Sequence, residues 1–155
     1  MKTKTDSELK AKTVQKKAKL KESVKMWGKP VLSAGFTILP STLLLKQKQL
    51  GLDAVDVNIL LHLLVTWWKK DQLPHLSKKT IAARMGIDPS TVQRHVRKME
   101  KLKLVKRVER RGSNKALQTN QYDLRPLVAA LHLQANNVKK ERAAKKQMNA
   151  LKGGK

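Results

Sequence analysis

The chain has 155 residues, and its 35 lysines and arginines against 11 acids give a formal net charge of +24. That length fits one compact domain with extensions, and 40% hydrophobic residues suffice for one modest core. The absence of cysteine excludes disulfides, thiolate chemistry and Cys-ligated zinc or iron–sulfur centres and fits a reducing cytoplasm, while so large a positive excess calls for a polyanion, of which nucleic acid is the commonest.

Residues 1–26 form a basic tail in which Leu9, Val14, Leu20 and Val24 stand isolated among lysines. So little apolar surface predicts disorder in the free chain. No apolar run follows the basic start, which excludes a secretory signal there. Residues 27–52, punctuated by Gly28, Pro30, Gly35, Pro40 and Gly51, read as a lead-in that packs on the domain. It holds a short extended run at Phe36 to Leu39 and a brief helical piece at Ser41 to Gln47.

The domain proper is placed at residues 53–124. Asp53 is expected to cap a helix in which Val55, Ile59, Leu60, Leu63, Leu64 and Trp67 recur at 3.6-residue spacing, ending near Lys69 and Lys70. Its apolar stretch, Ile59 to Trp68, is about half the ~20 residues a membrane span needs, so no membrane association is expected. Trp67 and Trp68 read as one core residue and one at a subunit contact. Ser77 caps a second helix, Lys78 to Met85, which stops at Gly86, a residue suited to a left-handed turn. Asp88 and Pro89 then open a third helix, 89–102, with Val92, Val96, Met99 and Leu102 on its apolar face.

Leu104 to Arg110 and Thr119 to Leu124 read as two strands flanking a basic loop, Arg111 to Lys115. A last helix, 125–138, carries the stripe Leu127, Leu131, Ala135, Val138 and is the expected dimer contact. The stripe fails after Lys139, so 139–155 is read as a second basic tail.

Helix, helix, tight turn, helix and basic hairpin is the order of a winged helix-turn-helix, a mainly α fold with a small β-hairpin wing. The turn carries the most specific spacing: Ala82 is small where two helices cross, Gly86 follows four residues later, Ile87 plugs the angle and Val92 anchors the next helix. The residues Trp67-Trp68, Leu73-Pro74, Ser77 to Ala82, Met85-Gly86-Ile87, Thr91 to Arg94, Arg107 and Thr119 to Leu124 resemble the winged helix-turn-helix domain common in bacteria, plasmids and phages. That domain is related to MarR-type regulators and to the N-terminal domains of plasmid and primosomal replication proteins. The resemblance covers about residues 36–133 and leaves both basic tails outside it. It implies that the third helix enters the DNA major groove and that the wing lies on flanking backbone. One departure is Lys103, where relatives usually have Gly, which predicts a less sharp helix-to-strand junction.

Carried onto this sequence, the resemblance makes Ser90, Thr91, Gln93, Arg94 and Arg97 the base-reading positions. Arg pairs bidentately with guanine and Gln with adenine, so Arg94 and Gln93 lead. Ser77, Lys78, Lys79, Lys98, Lys101, Arg110, Arg111 and Lys115 are placed for phosphate. No cofactor and no metal are expected: His62, His75, His95 and His132 show no paired ligand spacing, and Asp53 and Asp56 read as first-turn and capping acids rather than a carboxylate pair. Neither a phosphate-cradling Gly-rich loop nor a nucleophile arrangement is present, so an enzyme is not expected. The reading is a sequence-specific, double-stranded DNA-binding transcriptional regulator, homodimeric, cytoplasmic and nucleoid-associated, with a protein partner or extra phosphate grip assigned to the tails. A plasmid or phage replication or partition protein is the alternative, and a structural RNA-binding protein the third reading.

Overall fold

A computed structural model describes residues 22–69, 71–111 and 117–152. Most of the basic tail expected to be disordered, residues 1–21, lies outside the described residues, as does the tip of the hairpin with Lys115. The chain divides into two compact units at Thr37/Ile38, inside the segment read as a single lead-in. In the first unit residues 22–27 are helical (α1) and a second short helix, α2 (Lys29–Ser33), follows at once. Gly28 separates them at φ 79°, and Pro30 opens α2, where its missing N–H is harmless.

The second unit is a winged helix. Its elements are α3 (Ser41–Leu45), α4 (Ala54–Val65), α5 (Lys78–Met85), α6 (Pro89–Lys101), an antiparallel hairpin of β1 (Lys106–Arg111) and β2 (Leu117–Asp123), and α7 (Arg125–Lys152). Each cap anticipated from sequence is in place. Asp53 accepts from the Asp56 N–H while the Asp56 carboxylate accepts from the Asp53 N–H, a reciprocal capping box. The Ser77 hydroxyl accepts from the Thr80 N–H, and Asp88 from the Ser90 N–H. Gly86 adopts the left-handed conformation at φ 65°, and the Ile87 N–H returns to the Ala82 carbonyl, which sets the angle between α5 and α6. Ile59, Leu63, Ile81, Val92, Met99 and Tyr122 meet in one buried core. The expected link at His75 becomes a third short edge of the sheet: His75 bridges Gln121, and the Tyr122 N–H donates to the Pro74 carbonyl.

Several boundaries differ from expectation. α4 ends at Val65 rather than near Lys69, because the Thr66 and Trp67 N–H groups turn back to the carbonyls three residues before them and the Thr66 hydroxyl also donates to the Leu63 carbonyl. Trp67 is then half-buried against the core, and Trp68 is 66% exposed. β1 begins at Lys106 instead of Leu104, since Leu104 and Val105 are spent as buried residues in the turn from α6. α7 does not stop at Val138 but continues to Lys152. The failing apolar stripe signals lost burial, not lost helix: residues 139–152 contain no Gly or Pro and are rich in Lys, Ala, Glu, Arg and Gln, all good helix formers. The Lys46 ammonium also reaches back 2.9 Å to Glu141. The stripe's intended role changes too, because Leu127 and Leu131 are buried in the chain's own core and are not available as a dimer surface.

A further correction concerns Lys103. It takes the left-handed conformation, φ 55°, and the junction is as tight as a glycine would make it. The Leu104 N–H bonds to the Met99 carbonyl and the Lys103 N–H to the Glu100 carbonyl, both at 3.0 Å, which is a complete Schellman closure with Met99 and Leu104 packed beneath. A side chain in this region costs about 1–2 kcal/mol, partly offset by the extra backbone entropy that glycine would lose. Lys103→Gly is therefore expected to stabilise the fold by about 0.5–1 kcal/mol. A urea midpoint that falls on this substitution would contradict the account.

Candidate nucleic-acid interface

The chemistry of α6 follows from its two faces. Val92, Val96 and Met99 are buried, so positions 90, 93, 94, 97, 98 and 101, spaced three and four apart, form one stripe on the opposite side. Those six side chains, Ser90, Gln93, Arg94, Arg97, Lys98 and Lys101, line a shallow groove of about 520 Å³. Ser90, Arg94, Arg97 and Lys101 are exposed, while Gln93 and Lys98 are half-buried. Of the base-reading positions anticipated from sequence, only Thr91, half-buried, falls outside this lining.

α5 places its first turn beside the groove. The Lys78 ammonium donates to the Gln93 side-chain carbonyl at 2.6 Å, so these two are joined rather than independent. Lys78 also lines a smaller recess of about 160 Å³ with Leu76, Ser77, Thr119, Asn120 and Tyr122, between the start of α5 and β2. Ser77 is occupied as the cap and by a 2.7 Å contact with the Thr80 hydroxyl, and Lys79 is exposed. On the hairpin, Arg110 is half-buried next to a bulge between Val108 and Arg110. Arg111 pairs with Leu117 in the ladder.

Lys98 is where the geometry departs most from the wheel. Its ammonium lies 2.8 Å from Asp53 and 2.5 Å from Asp56, the two acids at the start of α4. His95, on the same flank of α6, donates from Nδ1 to Asp56 Oδ1 at 2.7 Å and lies 3.6 Å from Asp53. Asp53 and Asp56 are thus caps, as expected, and also a carboxylate pair that grips α6. Lys98 is held by protein acids at the edge of the groove, while Lys101 stands exposed. One signal for this was present in the sequence. Asp56 lies three, four and seven residues before Ile59, Leu60 and Leu63, so it sits on the apolar stripe of α4, where a carboxylate needs a partner.

Partial burial pushes the Asp53 carboxyl up, but the hydrogen bonds from Lys98 and the Asp56 N–H and the positive charges of His95 and Lys98 outweigh it. The result is about 2, against an ordinary 3.8. Those contacts with Asp53 and Asp56 hold the Lys98 ammonium above its usual range. A folded-state value below the unfolded one means that Asp53 contributes stability above about pH 4 and loses it as pH falls through about 2. Because the Asp53 side chain is 47% exposed, the contribution is a fraction of a kcal/mol. Between pH 5 and pH 2 the wild type is expected to lose more stability than Asp53→Asn; parallel acid limbs in urea titrations would refute this.

One ligand atom each from Asp53, Asp56 and His95 lies within 4.8 Å of the others, a spacing that a cation can use. The Lys98 ammonium already bridges both carboxylates and supplies positive charge at that point. No helix among the described residues is long and apolar enough to cross a membrane.

The model of the DnaD N-terminal domain family matches residues 39–143. Among solved structures, the N-terminal domain of the DnaD protein from Geobacillus kaustophilus is similar at a TM-score of 0.51 and 23% identity, covering 78% of this chain and 96% of that one. A possible transcriptional regulator from Methanosarcina mazei is similar at a TM-score of 0.43 and 15% identity, over 66% of this chain and 82% of its own. No curated protein sequence matches. The family match runs from the entry to α3 through the hairpin and well into α7, and with the helix-turn-helix and wing described above, the chain belongs to the DnaD N-terminal domain family.

Proposed function

We propose that the protein binds double-stranded DNA sequence-specifically, with α6 in the major groove and the hairpin against flanking backbone. The observation that carries this is the groove on α6: six polar side chains on one stripe of an exposed helix, with Arg94 and Arg97 pointing away from the core at successive turns. A helix of this kind fits the width of the major groove, and arginine is the commonest specific reader of guanine there. The reading is of a binding protein and not an enzyme, working in the cytoplasm on the nucleoid. One such helix reads few base pairs, so a homodimer on a two-fold site is proposed, with its contact elsewhere than the Leu127 stripe. The basic tails add phosphate grip or hold a protein partner.

The role proposed first is transcriptional regulation. The resemblance over about residues 36–133, which extends more distantly to the N-terminal domains of plasmid and primosomal replication proteins, supports the second role, a plasmid or phage replication or partition protein. Sequencing duplex fragments retained at moderate salt discriminates the two: clustered direct repeats fit replication, and a single palindrome beside a promoter fits regulation.

Arg94→Ala is expected to cost about 1–3 kcal/mol on the selected duplex and to relax base preference at one position. Lys101→Ala is expected to weaken all duplexes alike. With roughly 6–10 phosphates neutralised, log affinity falls against log salt with a slope of about −5 to −9. Equal losses on selected and random DNA for Arg94→Ala would refute the docking of α6.

A further inference from the structure

At Lys103 the turn needs a left-handed backbone and has no need of a side chain. Among the described residues it is the one non-glycine with a positive φ; the other positive values fall on glycines. Backbone groups alone close the turn, through the Lys103 and Leu104 N–H groups. The Lys103 side chain is exposed and makes no hydrogen bond or ion pair among the described residues, so it strains the backbone without a polar contact to the fold. What it does supply is an ammonium beside the groove. Glu100 lies three residues after Arg97 and so adjoins the groove lining on the surface of α6; with Lys103, Val105, Lys106 and Pro126 it lines a second recess of about 310 Å³. Lys106 is exposed as well. The acids nearby are already engaged. Glu100 accepts from the Arg107 N–H and lies 3.7 Å from its guanidinium, and Asp123, opposite Lys106 in the ladder, is held by Arg125. Two lysines without acid partners, at the end of a groove read as the DNA face, suit a phosphate, which an ammonium meets as a point charge.

We propose that Lys103, together with Lys106, holds a backbone phosphate of the duplex just beyond the base pairs that α6 reads. This rests on the reading of α6 as the helix that enters the major groove. It adds a phosphate site at the junction of α6 and the wing, and it gives the strained turn a role in affinity that runs against its effect on stability.

The experiment measures binding of wild type, Lys103→Gly, Lys103→Arg and Lys106→Met to the duplex that wild type selects, and to versions of it in which one phosphate at a time is neutralised as a methylphosphonate. Lys103→Gly is expected to bind selected and random duplexes about three- to tenfold more weakly, with a slope of log affinity against log salt shallower by about 0.9. Its urea midpoint is expected not to fall. Lys103→Arg keeps the charge and is expected to keep the wild-type slope. One neutralised phosphate outside the selected base pairs is expected to weaken wild type and Lys103→Arg, to weaken Lys106→Met less, and to leave Lys103→Gly unchanged. Lys103→Asn, uncharged and tolerant of the left-handed conformation, serves if the glycine variant does not fold. A salt slope unmoved by the loss of Lys103, or a phosphate profile identical in wild type and Lys103→Gly, overturns this inference alone. Failure of the wild type to select any duplex overturns it together with the function on which it rests.

Discussion

Asp56→Ala is expected to cost about 3 kcal/mol. Asp56 is 0% exposed, and its carboxylate receives three groups: the Asp53 N–H at 2.9 Å, His95 Nδ1 at 2.7 Å and the Lys98 ammonium. Deleting the carboxylate removes half of the α4 capping box, worth about 1 kcal/mol, and leaves a half-buried ammonium and imidazole with only the more exposed Asp53 carboxylate beside them. Lys98 is 38% exposed and can swing toward water, which brings the loss to the lower end of the range for broken buried pairs. A domain of this size has about 5–15 kcal/mol in total, so Tm should drop by on the order of 10 °C or more. Asp53→Ala, at the exposed end of the pair, should cost nearer 1 kcal/mol. Chemical denaturation of both variants and of the double variant with Lys98→Met gives the coupling directly. A loss for Asp56→Ala no larger than for Asp53→Ala would show that Asp56 acts only as a cap.

The consequence for function is positional. Asp56 does not itself line the groove, yet it holds His95 and Lys98, both on α6, so the carboxylate fixes the rotation of α6 about its axis against the N-terminus of α4. Rotation decides whether Arg94 and Arg97 or their neighbours face outward. Glu100 does the same at the far end of α6, where it accepts from the Arg107 N–H and lies 3.7 Å from the guanidinium. The stripe is therefore anchored at one end by α4 and at the other by β1.

Signals that act within a few residues were legible in the sequence. Asp53, Ser77 and Asp88 as caps, Gly86 as the left-handed stop and the periodicity of Val92, Val96 and Met99 each depend on spacings of two to five residues, and each has the predicted geometry. Pairings across elements were not legible: Lys98 meets acids 42 and 45 residues away, and Lys78 meets Gln93 from another helix. A helical wheel gives only the side of its own helix, so it put Lys98 toward solvent without knowing that the start of α4 lay there. Lys103 was misread for a different reason. The sequence showed that glycine was missing but not that two backbone hydrogen bonds and the burial of Leu104 would hold a lysine in the same turn. In α7, one apolar stripe was asked to report both burial and helix length, and it reports only the first.

That distinction sets the other large effect, at Leu127. An apolar stripe on a terminal helix has two possible partners, the chain's own core or a second copy, and sequence alone does not choose between them. Here Leu127 is 2% exposed and belongs to the core with Leu43, Leu124 and Leu131, whereas Leu133, one turn and a half further on, is 68% exposed. Leu127→Ala is expected to destabilise the fold by about 2–5 kcal/mol through lost burial and the cavity left behind. Because the contact is intramolecular, the loss should be the same at protein concentrations tenfold apart. Leu133→Ala, by contrast, should change stability by no more than about 0.5 kcal/mol. A dimer contact would reverse both results: the cost of Leu127→Ala would shrink with dilution, since the wild type would itself be losing its partner, and sedimentation would show the variant as monomer under conditions where the wild type is not. Folding measured at two concentrations thus separates the two uses of the stripe without any DNA present.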